Sequence, residues 1–191
     1  MESDNLIGFA ITGSFCTISK ALDIMQGLIF KGYDILPIMS ENAYLNDTRF
    51  AKACEIREKI KNLTKKEIVH TIVDAEPLGP KIKLDAMIIC PCTGNTMAKI
   101  ANGITDTSVT MAAKAHLRNN NPLLIALATN DALSGNLKNI GMLLSRKNIY
   151  FVPMMQDDPT NKPHSMVADF DMVEYSLELA LSGKQVPKLF K

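Results

Sequence analysis

Neither sign of charge dominates this chain. Its 191 residues carry 21 basic and 20 acidic side chains, a formal net charge of +1. That balance leaves no electrostatic footprint for nucleic acid or for an anionic membrane surface. No apolar run approaches the ~18 residues that span a bilayer. Residues 1–5 lack the basic and apolar regions of a signal peptide, so a soluble, cytoplasmic protein is expected. Cysteine is sparse. Cys16, Cys54, Cys90 and Cys92 do not have the spacing of a disulfide framework. Cys90-Pro91-Cys92 has no second Cys or His pair at ligand spacing, and His70, His116 and His164 are scattered, so no metal site is expected. The dinucleotide fingerprint G-x-G-x-x-G is also missing. The first strand runs into Ala10-Ile11-Thr12-Gly13-Ser14 instead, which argues against an ordinary NAD(P) Rossmann enzyme. No nucleophile or acid–base pair stands out, and catalytic residues stay unassigned.

What is present is alternation. With 47% hydrophobic residues, the chain can fill the core of one domain over residues 1–191. Strand-like runs are predicted at 6–12, 33–40, 86–91, 123–128 and 149–154. Helical patterns follow through Ala21, Ile24, Met25, Leu28 and Ile29 after the first strand, and at 48–61 (Phe50, Cys54, Ile56, Ile60), 95–102, 108–118, 135–146 and 168–182. Residues 68–75 are ambiguous, and the Pro77 to Pro80 loop breaks any helix there. Five strands separated by helices predict an α/β fold, a doubly wound and mostly parallel sheet with helices on both faces. The runs at 86–90 and 123–128 are continuously apolar, as central parallel strands are. The polar strand ends at 12–17, 40–48, 91–96 and 129–131 then gather at the carboxyl edge, where such sheets bind ligands.

Cys90 to Asp106 is the most informative stretch. A buried strand ending at Pro91 meets a helix starting near Asn95, and Thr93, Gly94, Asn95 and Thr96 place hydroxyls, an amide and flexible backbone at that helix N-terminus. Unpaired N–H groups and the positive end of the dipole favour an anion there. A simple helix cap explains the tetrapeptide equally well. A second small-residue turn, Gly13-Ser14-Phe15-Cys16-Thr17, shifts the balance, because two such turns can bind opposite parts of one ligand. Among cations, Arg49, Lys81, Arg118 and Lys162 are candidates to grip a carboxylate. Arg49 and Lys162 rank first, since Lys162 lies in a polar stretch, within 155–168, that can act as a lid. His164 in the same stretch is the best-placed general base, and Asp131 is a hydroxyl acceptor or an ordinary turn residue.

Pro91-Cys92-Thr93-Gly94-Asn95-Thr96-Met97-Ala98-Lys99-Ile100-Ala101-Asn102-Gly103-Ile104-Thr105-Asp106 resembles the PxSxNTxxKIAxGIxD signature of the flavoprotein superfamily. That superfamily includes phosphopantothenoylcysteine decarboxylases, peptide cysteine decarboxylases and flavin prenyltransferases. The resemblance implies a Rossmann-like flavoprotein fold. It also implies FMN contacts from Gly13, Ser14, Phe15, Ser40, Pro91, Cys92, Thr93, Asn95, Thr96, Thr129 and Asn130, and a homo-oligomer built on trimers. Two departures matter. The decarboxylases carry a catalytic His in the loop before the P-x-S-x-N strand, whereas Pro77-Leu78 stands there and His70 lies earlier. The residues used for flavin prenylation also have no clear counterparts.

A narrower resemblance spans nearly the whole chain through Thr12 to Thr17, Asn46 to Phe50, Ala75 to Lys81, Thr129 to Leu133, Gln156 to Pro159, Lys162-Pro163 and Ser165 to Ala168. It is to one of the two components of an oxidoreductase family of spore-forming bacteria. That resemblance implies a role in oxidising a dihydropyridine dicarboxylate to the aromatic dicarboxylate in the mother cell during sporulation. It implies a dehydrogenase-like partner, the other component, that holds NAD(P). The alternative is a flavin-free component that binds substrate or activates its partner.

Overall fold

The computed structural model describes residues 5–191. Its order of elements is β1 (Leu6–Ile11), α1 (Ile18–Phe30), β2 (Asp34–Met39), α2 (Glu41–Leu45), α3 (Ala53–Thr64), α4 (Ile72–Ala75), β3 (Ala86–Cys92), α5 (Gly94–Ala101), α6 (Ser108–Leu117), β4 (Leu123–Thr129), α7 (Leu137–Leu144), β5 (Ile149–Phe151), β6 (Met154–Met155), β7 (Met166–Ala168) and α8 (Val173–Leu181). Strands β2, β1, β3, β4 and β5 lie side by side and parallel. The chain leaves β1 for β2 on one side and then passes to β3 on the other. The strand order therefore reverses between the carboxyl ends of β1 and β3, the position where open α/β sheets form a crevice.

Side-chain alternation sorts the core into two layers. Ile7, Phe9 and Ile11 pack with Ile18, Met25, Leu28, Val173 and Leu177 on one face of the sheet. Ala10, Met87 and Ile89 pack with Met97, Val109, Ala112, Ile140 and Leu143 on the other. Every residue of β3 is buried. Its alternation slips once: Ala86, Ile88 and Cys90 share one layer, whereas Met87, Ile89 and then Cys92 share the other. The register against β4 shifts between Ile89 and Cys92, and the Cys90–Pro91 peptide is cis. This one-residue bulge re-aims the strand end, which delivers Thr93 to the start of α5.

The sequence predicts five strands, and the sheet has seven. The predicted strand at 149–154 divides because Pro153 has no N–H for a ladder bond. Its first part, β5, lies along Leu123 to Ile125 of β4. The second, β6, pairs antiparallel with β7, and β7 pairs antiparallel with Ala128 and Thr129 at the far end of β4. Residues 166–168 of the expected lid are thus strand, and 156–165 form the loop of a hairpin. The final helix accordingly begins at Val173, after a 3-10 turn at Phe170–Met172.

The helix predicted from residue 48 begins at Ala53. Asp47 and Thr48 divert the backbone: Ala53 N–H donates to Asp47 Oδ1 (2.8 Å), and Phe50 and Ala51 N–H donate to Thr48 Oγ1 (3.2 and 3.4 Å). Short polar side chains compete with the helix in this way. Ile56 and Ile60 are buried as expected, but Phe50 and Cys54 are exposed. The ambiguous 68–75 segment resolves into a bridge from Val69 to Ile38 beside β2, followed by the short helix α4.

Candidate functional site

Thr12 joins the two central strand ends. Its hydroxyl donates to Pro91 O (2.8 Å) and accepts from Thr93 N–H (2.9 Å), across 81 residues of sequence in the second case. Beyond it the chain turns tightly: Ser14 N–H donates to Thr12 O (2.9 Å), and the Thr17 hydroxyl reaches both Ser14 O (2.9 Å) and Ser14 Oγ (3.2 Å). At the start of α5, Thr93 Oγ1 accepts from Thr96 N–H (3.2 Å) and donates to Thr96 Oγ1 (3.0 Å). Ser40 caps α2 through Ala43 N–H. Thr107 and Thr110 form a reciprocal capping box on α6, and Glu41 Oε1 accepts from Ser108 N–H (2.9 Å), which ties α2 to that terminus. These turns enclose a cleft of about 580 Å³ at the switch point, with Gly13, Phe15, Ser40, Thr93, Asn95 and Thr96 among its walls.

The N-termini of α5 and α6 both open on this cleft. Gly94 and Asn95 N–H, in the first turn of α5, have no partner within the helix, and their dipole end attracts negative charge. The flanking side chains are mainly neutral donors and acceptors. Lys99 is held by both Asp106 oxygens (2.8 and 2.9 Å), a contact that lowers the Asp106 carboxyl below its ordinary range. Glu41 and Asp47 add acidic walls, and the lining contains no histidine or cysteine. Such a set is built for holding a phosphate and hydroxyl-bearing ligand through backbone amides and small hydroxyls. Its titratable lining is Glu41, Asp47 and the Lys99–Asp106 pair: Glu41 accepts from Ser108 N–H, Asp47 accepts from Ala53 N–H, and Asp106 holds Lys99.

The remaining predicted residues lie elsewhere. Ser14 is turned toward Thr17 beside the cleft. Pro91 and Cys92 do not form a wall of it: both are buried in β3, the Cys92 thiol donates to Thr93 O (3.6 Å), and burial pushes its pKa up. Thr129 stands behind Gly94, where its hydroxyl donates to Asp131 Oδ1 (2.6 Å), and Asn130 is exposed next to it. Arg49 is exposed with its guanidinium over the Phe50 ring, 4.8 Å from the centroid. Lys162 pairs with Asp157 (3.2 Å) within the hairpin loop. His164 is exposed, and its carbonyl accepts from Leu133 N–H (3.0 Å). The structure therefore does not gather Arg49, Lys162 and His164 along the cleft wall. His70 stacks on Tyr44 with ring centroids 3.8 Å apart, and Leu78 is fully buried, so no imidazole occupies the loop position the decarboxylases use. Sequence reasoning missed Thr12, Glu41, Lys99, Asp106 and Thr107. Signals existed for each: Thr12 and Glu41 lie in the polar strand ends, Lys99 and Asp106 are the K and D of the P-x-S-x-N signature, and Thr107 opens the T-x-x-T spacing of a capping motif.

With this geometry in place, comparison with known proteins assigns the class. The model of the Flavoprotein family matches residues 1–173, and the chain belongs to that family. Among individual relatives, it is 46% identical over 180 residues to the B subunit of dipicolinate synthase of Bacillus subtilis (strain 168), covering 94% of this chain and 90% of that one. The crystal structure of the B subunit of dipicolinate synthase from Bacillus halodurans C superposes with a TM-score of 0.91 at 42% identity, over 99% of this chain and 97% of that chain. AnUbiX (PadA1), solved in complex with FMN and dimethylallyl pyrophosphate, shares the fold at 20% identity, with a TM-score of 0.64 over 79% and 78% of the two chains. No helix among the described residues is long and apolar enough to cross a membrane.

Proposed function

We propose that this chain is the FMN-binding component of a dipicolinate synthase. It would work with a dehydrogenase-like partner protein to oxidise a dihydropyridine dicarboxylate to the aromatic dicarboxylate. The observation that carries the reading is the cleft at the switch point, where the α5 N-terminus and the Gly13 turn face one another with unpaired donors. The fit to a flavin phosphate is physical. Gly94 and Asn95 N–H supply donors, Thr93 and Thr96 supply hydroxyls, and a Cβ added at Gly13 would meet only the Phe15 ring, at 3.5 Å, so the backbone there is open to a ligand. A bound flavin would supply two-electron redox chemistry. The chain's own residues bind and orient it, and exclude water from its ring.

Oxidation of the dihydropyridine removes two electrons and two protons: a flavin would accept both, whereas a nicotinamide would accept a hydride and leave the second proton to solvent. Because each cleft carboxylate is engaged in a structural bond, Glu41 with Ser108 N–H, Asp47 with Ala53 N–H and Asp106 with Lys99, this chain alone is expected to form negligible dipicolinate, and the dehydrogenase-like partner is expected to restore formation. A homo-oligomer of threefold symmetry is part of the proposal, and light scattering across dilution tests it. The direct test of the cofactor is titration of purified protein with FMN, alone and with the partner, followed by denaturation to release the yellow chromophore. Gly13→Phe is expected to abolish binding. No affinity in the unmodified protein under either condition would leave the flavin-free, substrate-binding role in its place.

A further inference from the structure

Arg49 and Phe50 form the tip of a turn whose base, Asp47 and Thr48, lies on the cleft wall. Thr48, a cleft residue, closes that turn: its N–H donates to Ala51 O (3.0 Å), and its hydroxyl accepts from Phe50 N–H (3.2 Å). Asp47, also on the cleft wall, fixes the other side by accepting from Ala53 N–H. The tip is therefore built, and the fold makes no use of the side chains it carries. Phe50 is 52% exposed and belongs to neither core layer. Arg49 makes no ion pair among the described residues, and its guanidinium is parked over one face of the Phe50 ring. A large aromatic ring and an uncommitted planar cation, two residues from a cleft wall, form a small recognition surface.

We infer that the Arg49–Phe50 tip is a subsite for a flat aromatic carboxylate, with the ring stacked on Phe50 and one carboxylate bonded to Arg49. This rests on the reading of the chain as part of a pyridine-dicarboxylate-forming enzyme. Guanidinium matches a carboxylate with two parallel hydrogen bonds, and aromatic pairs gain from offset stacking beyond the area they bury. The dihydro precursor contains sp³ carbon and is puckered. It stacks less well than the planar product, so the tip discriminates between the two by shape while both satisfy the charge.

The chain contains no tryptophan, so Phe50→Trp installs a single indole reporter at the tip. Titrating this full-length variant with pyridine-2,6-dicarboxylate is expected to change its fluorescence saturably. Cyclohexane-1,3-dicarboxylate, of equal charge and without a flat ring, is expected to need roughly tenfold more ligand. Adding Arg49→Gln is expected to weaken the aromatic ligand by about tenfold or more. As an independent measurement, calorimetry compares unmodified protein with Phe50→Ala, with and without the dehydrogenase-like partner, and the alanine variant is expected to bind the aromatic dicarboxylate several-fold more weakly. Calorimetric binding by Phe50→Ala and Arg49→Gln that is as tight as in unmodified protein overturns the subsite and leaves the proposed function standing. No dicarboxylate binding to unmodified protein in either state removes the subsite and the proposed substrate together. Neither result bears on flavin affinity.

Discussion

Thr93-Gly94-Asn95-Thr96 and Thr129-Asn130-Asp131 each follow a buried parallel strand, and each offers hydroxyl and amide groups at the carboxyl edge. They meet at Gly94, on opposite sides of it. On the cleft side the Asn95 amide is exposed and hydrogen-bonded to nothing among the described residues, and the first N–H groups of α5 are free. On the other side Thr129 and Asp131 are committed, and Asn130 alone points out, exposed. Asp131 accepts from Thr129 Oγ1 and from Asn136 Nδ2 (2.8 Å), Asn136 Oδ1 accepts from Asn139 Nδ2 (2.7 Å), and Asn139 Oδ1 accepts from Asn102 at the far end of α5 (3.4 Å). One polar turn is left open to a ligand. The other braces the helix that presents it, and the bonded chain from Thr129 through Asp131, Asn136 and Asn139 to Asn102 rigidifies it.

The contact between the two sides is the place to break the arrangement. A Cβ at Gly94 would sit 2.5 Å from Thr129 Oγ1, 2.6 Å from Asn136 Nδ2 and 2.8 Å from Asp131 Oδ1. Gly94→Ala therefore pushes α5 off its brace and is expected to cost about 1–3 kcal/mol, as overpacking does. Flavin affinity should fall with it, because the phosphate-binding turn moves. Urea melts together with FMN titration check both. A variant as stable as the parent that still binds FMN equally well would mean that the two sides are not mechanically joined.

Two further substitutions sharpen the difference of role. Asp131→Ala leaves the Thr129 hydroxyl and the buried Asn136 amide without acceptors, and about 1–3 kcal/mol of stability is expected to be lost. Asn95→Ala removes an exposed, unpartnered amide, so stability should change by less than about 0.5 kcal/mol, while FMN binding weakens. Equal stability losses in the pair would erase the distinction between brace and binding turn. Thr93→Ala lies between these cases. It removes the N-cap, worth about 1 kcal/mol, and a ligand-facing hydroxyl at once, whereas Thr93→Ser should preserve both.

Sequence alone distinguishes these turns poorly, and the reason is range. The sheet is legible because β1, β3 and β4 are contiguous apolar runs, and the binding turn is legible because Thr93 to Thr96 are adjacent. The brace is not, since Asp131 finds its partner at Asn136 in the turn leading into α7, and Thr12 finds Pro91 across 79 residues. Cys92 stands among the flavin contacts only through the resemblance, and the bulge after Ile89 moves it into the core layer of Met87 and Ile89. Phe50 reads as part of a helix face because the competing bonds of Asp47 and Thr48 leave no mark on hydrophobic periodicity. The hairpin of β6 and β7 escapes for a related reason: two- and three-residue strands are shorter than any periodic signal.

His116 extends the comparison to a buried polar group that is only half committed. Its Nε2 lies 2.9 Å from Pro122 O, so Nε2 carries the proton, while Nδ1 is buried with no partner. Burial lowers its pKa, against the opposing pull of the Pro122 hydrogen bond and the Asp85 charge. Protonation would bury both the charge and an unsatisfied Nδ1–H, so the folded state resists it, whereas the unfolded chain takes up the proton near pH 6.5. The unfolded state then holds more protons below that point, and the linkage relation makes stability fall as the pH drops from about 6.5 toward the folded-state pKa. Denaturant melts at pH 7.5, 6.5 and 5.5 are expected to show that loss in the unmodified protein and a shallower one in His116→Gln, which keeps a donor for Pro122 without a titrating ring. Parallel slopes in the two proteins would assign the acid sensitivity to other groups.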